Sequence, residues 1–167
     1  MGFRDLNEIT IRTLTVRQLA ENFGVRLEFE DLRPPLNGFY KWHPQAQPVI
    51  VIAAQLKSNP VVLKCTIWEE LGHHFTASEE MRRHPFTLYS RTERRNDHPL
   101  EKQALRWASV RLISELEIRW FIAEGGGTLE DFARRFGVTE ELAVERINAL
   151  QAHNPGLWHS LIAGSAS

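Results

Sequence analysis

Four side chains of this 167-residue chain have the types and spacing to do chemistry together: Glu69, Glu70, His73 and Glu101. The first three stand in Trp68-Glu69-Glu70-Leu71-Gly72-His73-His74-Phe75. Residues four apart on a helix share a face, so Glu69 and His73 can reach one divalent cation from successive turns. Glu70 sits beside that pair, placed to hold a water molecule and take a proton from it. Carboxylate oxygens and an imidazole nitrogen are ordinary zinc ligands. The alternative register, Glu70 with His74, leaves Leu71 where the base must be. Glu70-x-x-His73 also has the spacing of carboxylate-bridged di-iron bundles, but no second E-x-x-H stands elsewhere in the chain.

The elements that must position these groups follow from periodicity and caps. Asn59-Pro60 offers an N-cap with proline at the first helical position, and Leu63, Ile67, Leu71 and Phe75 then step by four as a core-facing stripe. Gly72 costs that helix about 1 kcal/mol relative to alanine. A glycine fits there if another element packs against the backbone. A second long helix is expected from Asn96-Asp97 or His98-Pro99 to about Ala123. In it Glu101 shares a face with Ala104, Leu105, Ala108 and Leu112. A carboxylate on an inward face needs a partner, either a metal ion or an Arg or Lys.

Ahead of these helices, Thr15 to Phe23 reads as a short helix capped by Thr15 and stopped by Gly24. Val25–Phe29, Phe39–Trp42 and Pro48–Ala53 read as strands, with Asn37-Gly38 as a turn, giving a small antiparallel sheet. Ala77 to His98, polar and rich in arginine, reads as a long loop beside the site. Gly125-Gly126-Gly127 reads as a hinge. Beyond it, Thr128–Phe136, Gly137 and Val138–Leu150 have the pattern of a helix-turn-helix. Its second helix opens with Glu140 and Glu141, which would repel phosphate, so direct DNA binding is not expected. Trp158 and Leu161 are expected to dock the tail, with the last residues disordered.

Bulk properties narrow the classes. Apolar residues at 43% and charged residues at 25% suit a globular protein, and a net charge of -1 argues against a general nucleic-acid binder. The single cysteine, Cys65, excludes an internal disulfide and is expected to be a buried, inert thiol. Met1 to Thr15 mixes charges among its apolar residues, unlike a signal peptide, and no apolar run approaches a membrane span. A cytoplasmic protein is expected.

Glu69-Glu70-Leu71-Gly72-His73 is one letter from H-E-x-x-H, the zinc-peptidase signature in which two histidines bind the ion and the intervening Glu is the general base. Downstream, Glu101-Lys102-Gln103-Ala104-Leu105-Arg106-Trp107-Ala108 matches E-x-x-A-x-x-F/W-A. The two motifs, at this separation and between a short sheet and a helix-turn-helix-like segment, resemble the ImmA/IrrE family of metallo-endopeptidases. LKCTIWEELGHHFT is similar to the branch in which E-E-L-G-H-H replaces the histidine-first form. The resemblance covers about residues 37 to 148.

It implies an α+β fold, with a small antiparallel sheet packed on a zincin-like helical core (residues 1–124) and a helical appendage (residues 125–167). It implies Glu70 as general base and His73 and Glu101 as metal ligands, with Glu69 at the place of the first histidine. Zn2+ is the implied cofactor. Two carboxylates and one neutral imidazole cancel its charge, making a weaker Lewis acid, and their oxygens also suit Mn2+ or Fe2+. Slow or tightly conditional hydrolysis is expected. His74, Tyr89 and His98 are candidate contacts to substrate or transition state. The family's partners are helix-turn-helix repressors of the Xre type, whose cleavage releases phage, mobile-element or stress-response genes. The other reading is a protease-fold binding module that regulates such a partner without cutting it.

Overall fold

A computed structural model of the chain describes residues 16–91 and 99–164. Element order is α1 (Val16–Asn22), β1 (Arg26–Glu30), β2 (Leu36–Trp42), β3 (Val49–Ala53), α2 (Pro60–Thr76), α3 (Glu79–Arg82), β4 (Phe86–Arg91), α4 (Pro99–Leu112), α5 (Glu115–Ala123), α6 (Leu129–Phe136), α7 (Glu140–His153) and α8 (Pro155–Gly164). A 3-10 turn, Ala54–Ser58, links β3 to α2. The architecture is α+β, as expected. No helix among the described residues is long and apolar enough to cross a membrane.

The sheet has the order β1-β3-β2-β4. It is mixed rather than wholly antiparallel: β3 pairs antiparallel with β2 but parallel with β1. The physical reason is that β3 inserts between the two earlier strands. Alternate residues of β3 are buried on both faces of the sheet, which is why the strand reads as a continuous apolar run. Ile50 and Ile52 are fully buried in the main core, and Val51, on the other face, is 3% exposed.

Asn37-Gly38, expected as a turn, lies inside β2. The register advances two residues on β2 against one on β4 between Leu36 and Gly38, so the dipeptide marks a β-bulge. The segment expected as a long loop from Ala77 is ordered by a short helix capped by the Ser78 hydroxyl, and then by β4, which pairs with β2. Nonlocal pairing with β2 outweighs the polar composition of that stretch.

Packing on the sheet sets the position of α2. The Asn59 side chain accepts from the Val62 N–H at 3.2 Å, and Pro60 occupies the first turn, so the helix begins where the sequence indicates. Ile67 and Leu71 are fully buried, each contributing on the order of 2 kcal/mol. At its other end the Arg82 guanidinium donates to the carbonyls of His74 and Ala77, satisfying groups that a helix C-terminus leaves open.

The second long helix is two helices, not one. Ser114 interrupts it with a capping box: its N–H donates to Glu117 Oε2 at 2.9 Å while its hydroxyl accepts from the Glu117 N–H at 3.3 Å. Past the glycines, Thr128 and Asp131 form another capping box, Gly137 takes the left-handed conformation at φ 58°, and Thr139 caps α7. These helices pack onto the same core: Phe132, Leu142 and Leu150 join Ile67 and Leu105 in one cluster. The tail is helical, with Leu157 and Leu161 buried and Trp158 packed against them. The expected Thr15 cap, the charged N-terminus and the disordered last residues lie outside the described residues.

Candidate metal centre

Glu69, His73 and Glu101 come together. One ligand atom from each lies within 4.8 Å of the others. His73 Nε2 is 3.3 Å from Glu101 Oε2. The imidazole is fully buried, and neither ring nitrogen makes a hydrogen bond among the described residues. Leaving such a group without a hydrogen bond costs ~1–3 kcal/mol, which a bound cation would offset. Carboxylates from Glu69 and Glu101 meet at this one imidazole, and a cation among them would offset the cost of bringing like charges together. Two oxygens and one nitrogen that lie within 4.8 Å of one another suit zinc by ligand type. The residues fit the metal.

Of these residues only Glu101 reaches solvent, with 22% of its side chain exposed, while Glu69 and Glu70 are buried. Glu101 enters the cluster because α4 lies directly on α2. A Cβ on Gly72 would stand 2.4 Å from the Ala104 carbonyl oxygen, so only glycine permits the approach. Glu70 turns toward the sheet, where a Cβ on Gly38 of β2 would lie 3.2 Å from its Oε1. Glu70 is thus backed by strand backbone at Gly38. Nothing local in the sequence marks Gly38 for this place; only the register of β2 does.

The remaining candidates separate. The His74 Nδ1 is 2.9 Å from the Tyr40 hydroxyl, a buried partner the sequence did not single out. Burial, with the nearby Arg82 charge adding to it, pushes the His74 imidazole from 6.5 down to about 4, and burial raises the Tyr40 hydroxyl. Tyr89 is 48% exposed and packs its ring on Phe39, 5.8 Å away, on the face of the sheet opposite Gly38. The geometry does not bring it to the ligands. His98 lies outside the described residues. Cys65 is buried, with its sulfur accepting from the Thr139 N–H at 3.4 Å, and burial raises its thiol.

The His74 shift has a measurable consequence. The unfolded chain takes up a proton near pH 6.5 that the native chain refuses until about pH 4, so stability falls as pH drops through that window. His74→Gln is expected to flatten this acid limb in urea unfolding measured across the window. An unchanged slope would place the responsible protons elsewhere.

No curated protein and no solved structure matches the chain. Residues 20–148, from α1 to α7, match the model of the IrrE N-terminal-like domain, peptidase family M78. That span contains both motifs, Glu69, Glu70, His73 and Glu101, and strand β2 behind Glu70, and the chain belongs to this family of metallopeptidases.

Proposed function

We propose that the protein is a zinc-dependent endopeptidase of the cytoplasm that cleaves a helix-turn-helix repressor of the Xre type. The observation that carries the reading is the convergence of Glu69, His73 and Glu101 within 4.8 Å, with Glu70 on the same helix and outside that set. Glu69, His73 and Glu101 would hold the ion, which would supply Lewis-acid chemistry for amide hydrolysis. The Glu70 carboxylate is the group to take a proton from the attacking water and return it to the leaving amide nitrogen. Its burial keeps bulk water from competing for it.

Residues 1–124 then form the catalytic unit and residues 125–167 brace it. In support, Arg146 of α7 is buried and its Nε donates to the Ile113 carbonyl at 2.7 Å, at the break between α4 and α5. Glu140 and Glu141 at the start of α7 weigh against DNA reading.

The test joins metal content to cleavage. Wild type is expected to carry about one equivalent of zinc, with Glu69→Ala, His73→Ala and Glu101→Ala each losing most of it, because each removes one of the three ligands found among the described residues. Incubated with a helix-turn-helix repressor of the Xre type, the zinc-loaded protein should yield two fragments, and none after chelation. Zinc retained without Glu69 would put that residue outside the ligand set. The second reading, a binding module, is favoured by the carboxylate at the first-ligand place and by the burial of Glu70. It predicts a stable complex with an intact repressor.

A further inference from the structure

Ser90 is the one serine of the described residues whose hydroxyl is wholly buried and makes no hydrogen bond. It sits on β4 directly opposite Gly38 of β2. Alternation along β4 sends Tyr89 to the outer face with Phe39, and sends Leu88 and Ser90 inward with Tyr40 and Gly38. Gly38 is the position whose Cβ would lie 3.2 Å from Glu70 Oε1. Side chains of directly paired antiparallel residues are about 5 Å apart, so the Ser90 side chain starts one lateral step from the same carboxylate oxygen. Rotation about χ1 or a single bridging water would close that gap.

We infer that Ser90 is a positioning residue for Glu70: its hydroxyl donates, directly or through one water, to the sheet-facing oxygen of that carboxylate. The inference rests on Glu70 as the general base. A carboxylate accepts hydrogen bonds and donates none, and a serine hydroxyl has one proton to give. Gly38 puts no side chain of its own between them, although the Ile52 Cδ1, 3.0 Å from its Cβ position, shares the space above it. With one oxygen held from the sheet side, the other is aimed at the ligand set, where the proton is taken. This is the logic of a base oriented by a third group. It also accounts for a buried hydroxyl that would otherwise cost ~1–3 kcal/mol.

The deciding measurement is thermal unfolding of wild type, Ser90→Ala, Glu70→Leu and the double variant, all without metal. If Ser90 engages Glu70, Ser90→Ala lowers the midpoint in the wild-type background by about 2 °C or more. In the Glu70→Leu background it leaves the midpoint unchanged or raises it, since the hydroxyl has lost its acceptor. The same upward shift in both backgrounds would overturn the proposal, because it is the signature of a serine that serves nothing. This readout needs no substrate, so it stands or falls separately from the proteolytic reading. With a cleavable repressor, Ser90→Ala should lower kcat about tenfold with KM and zinc content unchanged. A change confined to KM would make Ser90 a substrate contact instead.

Discussion

Glu70→Gln is expected to abolish hydrolysis while the protein keeps its fold and its metal. Glutamine has the shape of glutamate, so it fills the same buried space against Gly38 without opening a cavity. Its amide cannot take a proton from water. Losing a general base typically costs 10²- to 10⁴-fold in rate, about 3–5 kcal/mol of barrier. Metal content should not change, because Glu70 is not one of the three residues whose ligand atoms meet within 4.8 Å. Stability should hold or rise, since the substitution replaces a buried carboxylate by a neutral amide of the same shape. His73→Ala should differ in kind, losing zinc and cleavage together. The pair is read by repressor cleavage, zinc content by mass spectrometry and thermal unfolding. Cleavage surviving in Glu70→Gln would defeat the general-base assignment; zinc lost in it would make Glu70 a ligand.

The parts of this site that were legible in the sequence are those set by local geometry. Glu69 and His73 are four apart on a helix whose start is written in Asn59-Pro60, and any such helix puts them on one face. Glu101 was readable through its neighbours, because Ala104, Leu105 and Ala108 are all buried and share its face. What the sequence hid depends on pairing between distant strands. The arginines and prolines around β4 read as loop, yet backbone pairing with β2 makes the segment the edge of the sheet. Once it is a strand, alternation decides which side chain faces the base, and that is Ser90 rather than the more conspicuous Tyr89. Asn37-Gly38 misled in the same way, for a bulge and a turn draw on the same residues. The break between α4 and α5 had a local signal, Ser114-Glu115-Leu116-Glu117, outweighed in the sequence by the continuous apolar period on either side of it.

Gly72→Ala is the second large expectation, and its sign is set by two opposed effects. Alanine improves helix propensity by about 1 kcal/mol over glycine. Against that, the new Cβ would lie 2.4 Å from the Ala104 carbonyl oxygen, 2.8 Å from its carbonyl carbon and 2.9 Å from its Cα. All three are backbone atoms of α4, so no side chain can rotate out of the way. Relief requires α4 to back off by roughly 1 Å to reach ordinary contact distance. Overpacking of this kind costs ~1–3 kcal/mol, occasionally more, so the clash outweighs the propensity gain. The larger consequence is at the ligands. Glu101 rides on α4 and His73 on α2, with Nε2 and Oε2 now 3.3 Å apart. Metal–ligand distances tolerate only about 0.2 Å, so moving one helix by several times that detaches a ligand. Gly72→Ala should therefore lose zinc on dialysis that wild type survives, and unfold a few degrees lower. Because the residue touches neither metal nor substrate, this loss would show that the bare backbone between the two helices is what brings Glu101 into the site. Retained zinc with an unchanged Tm would mean that α4 is free to shift without consequence, and the close approach at Gly72 would then have no part in building the centre.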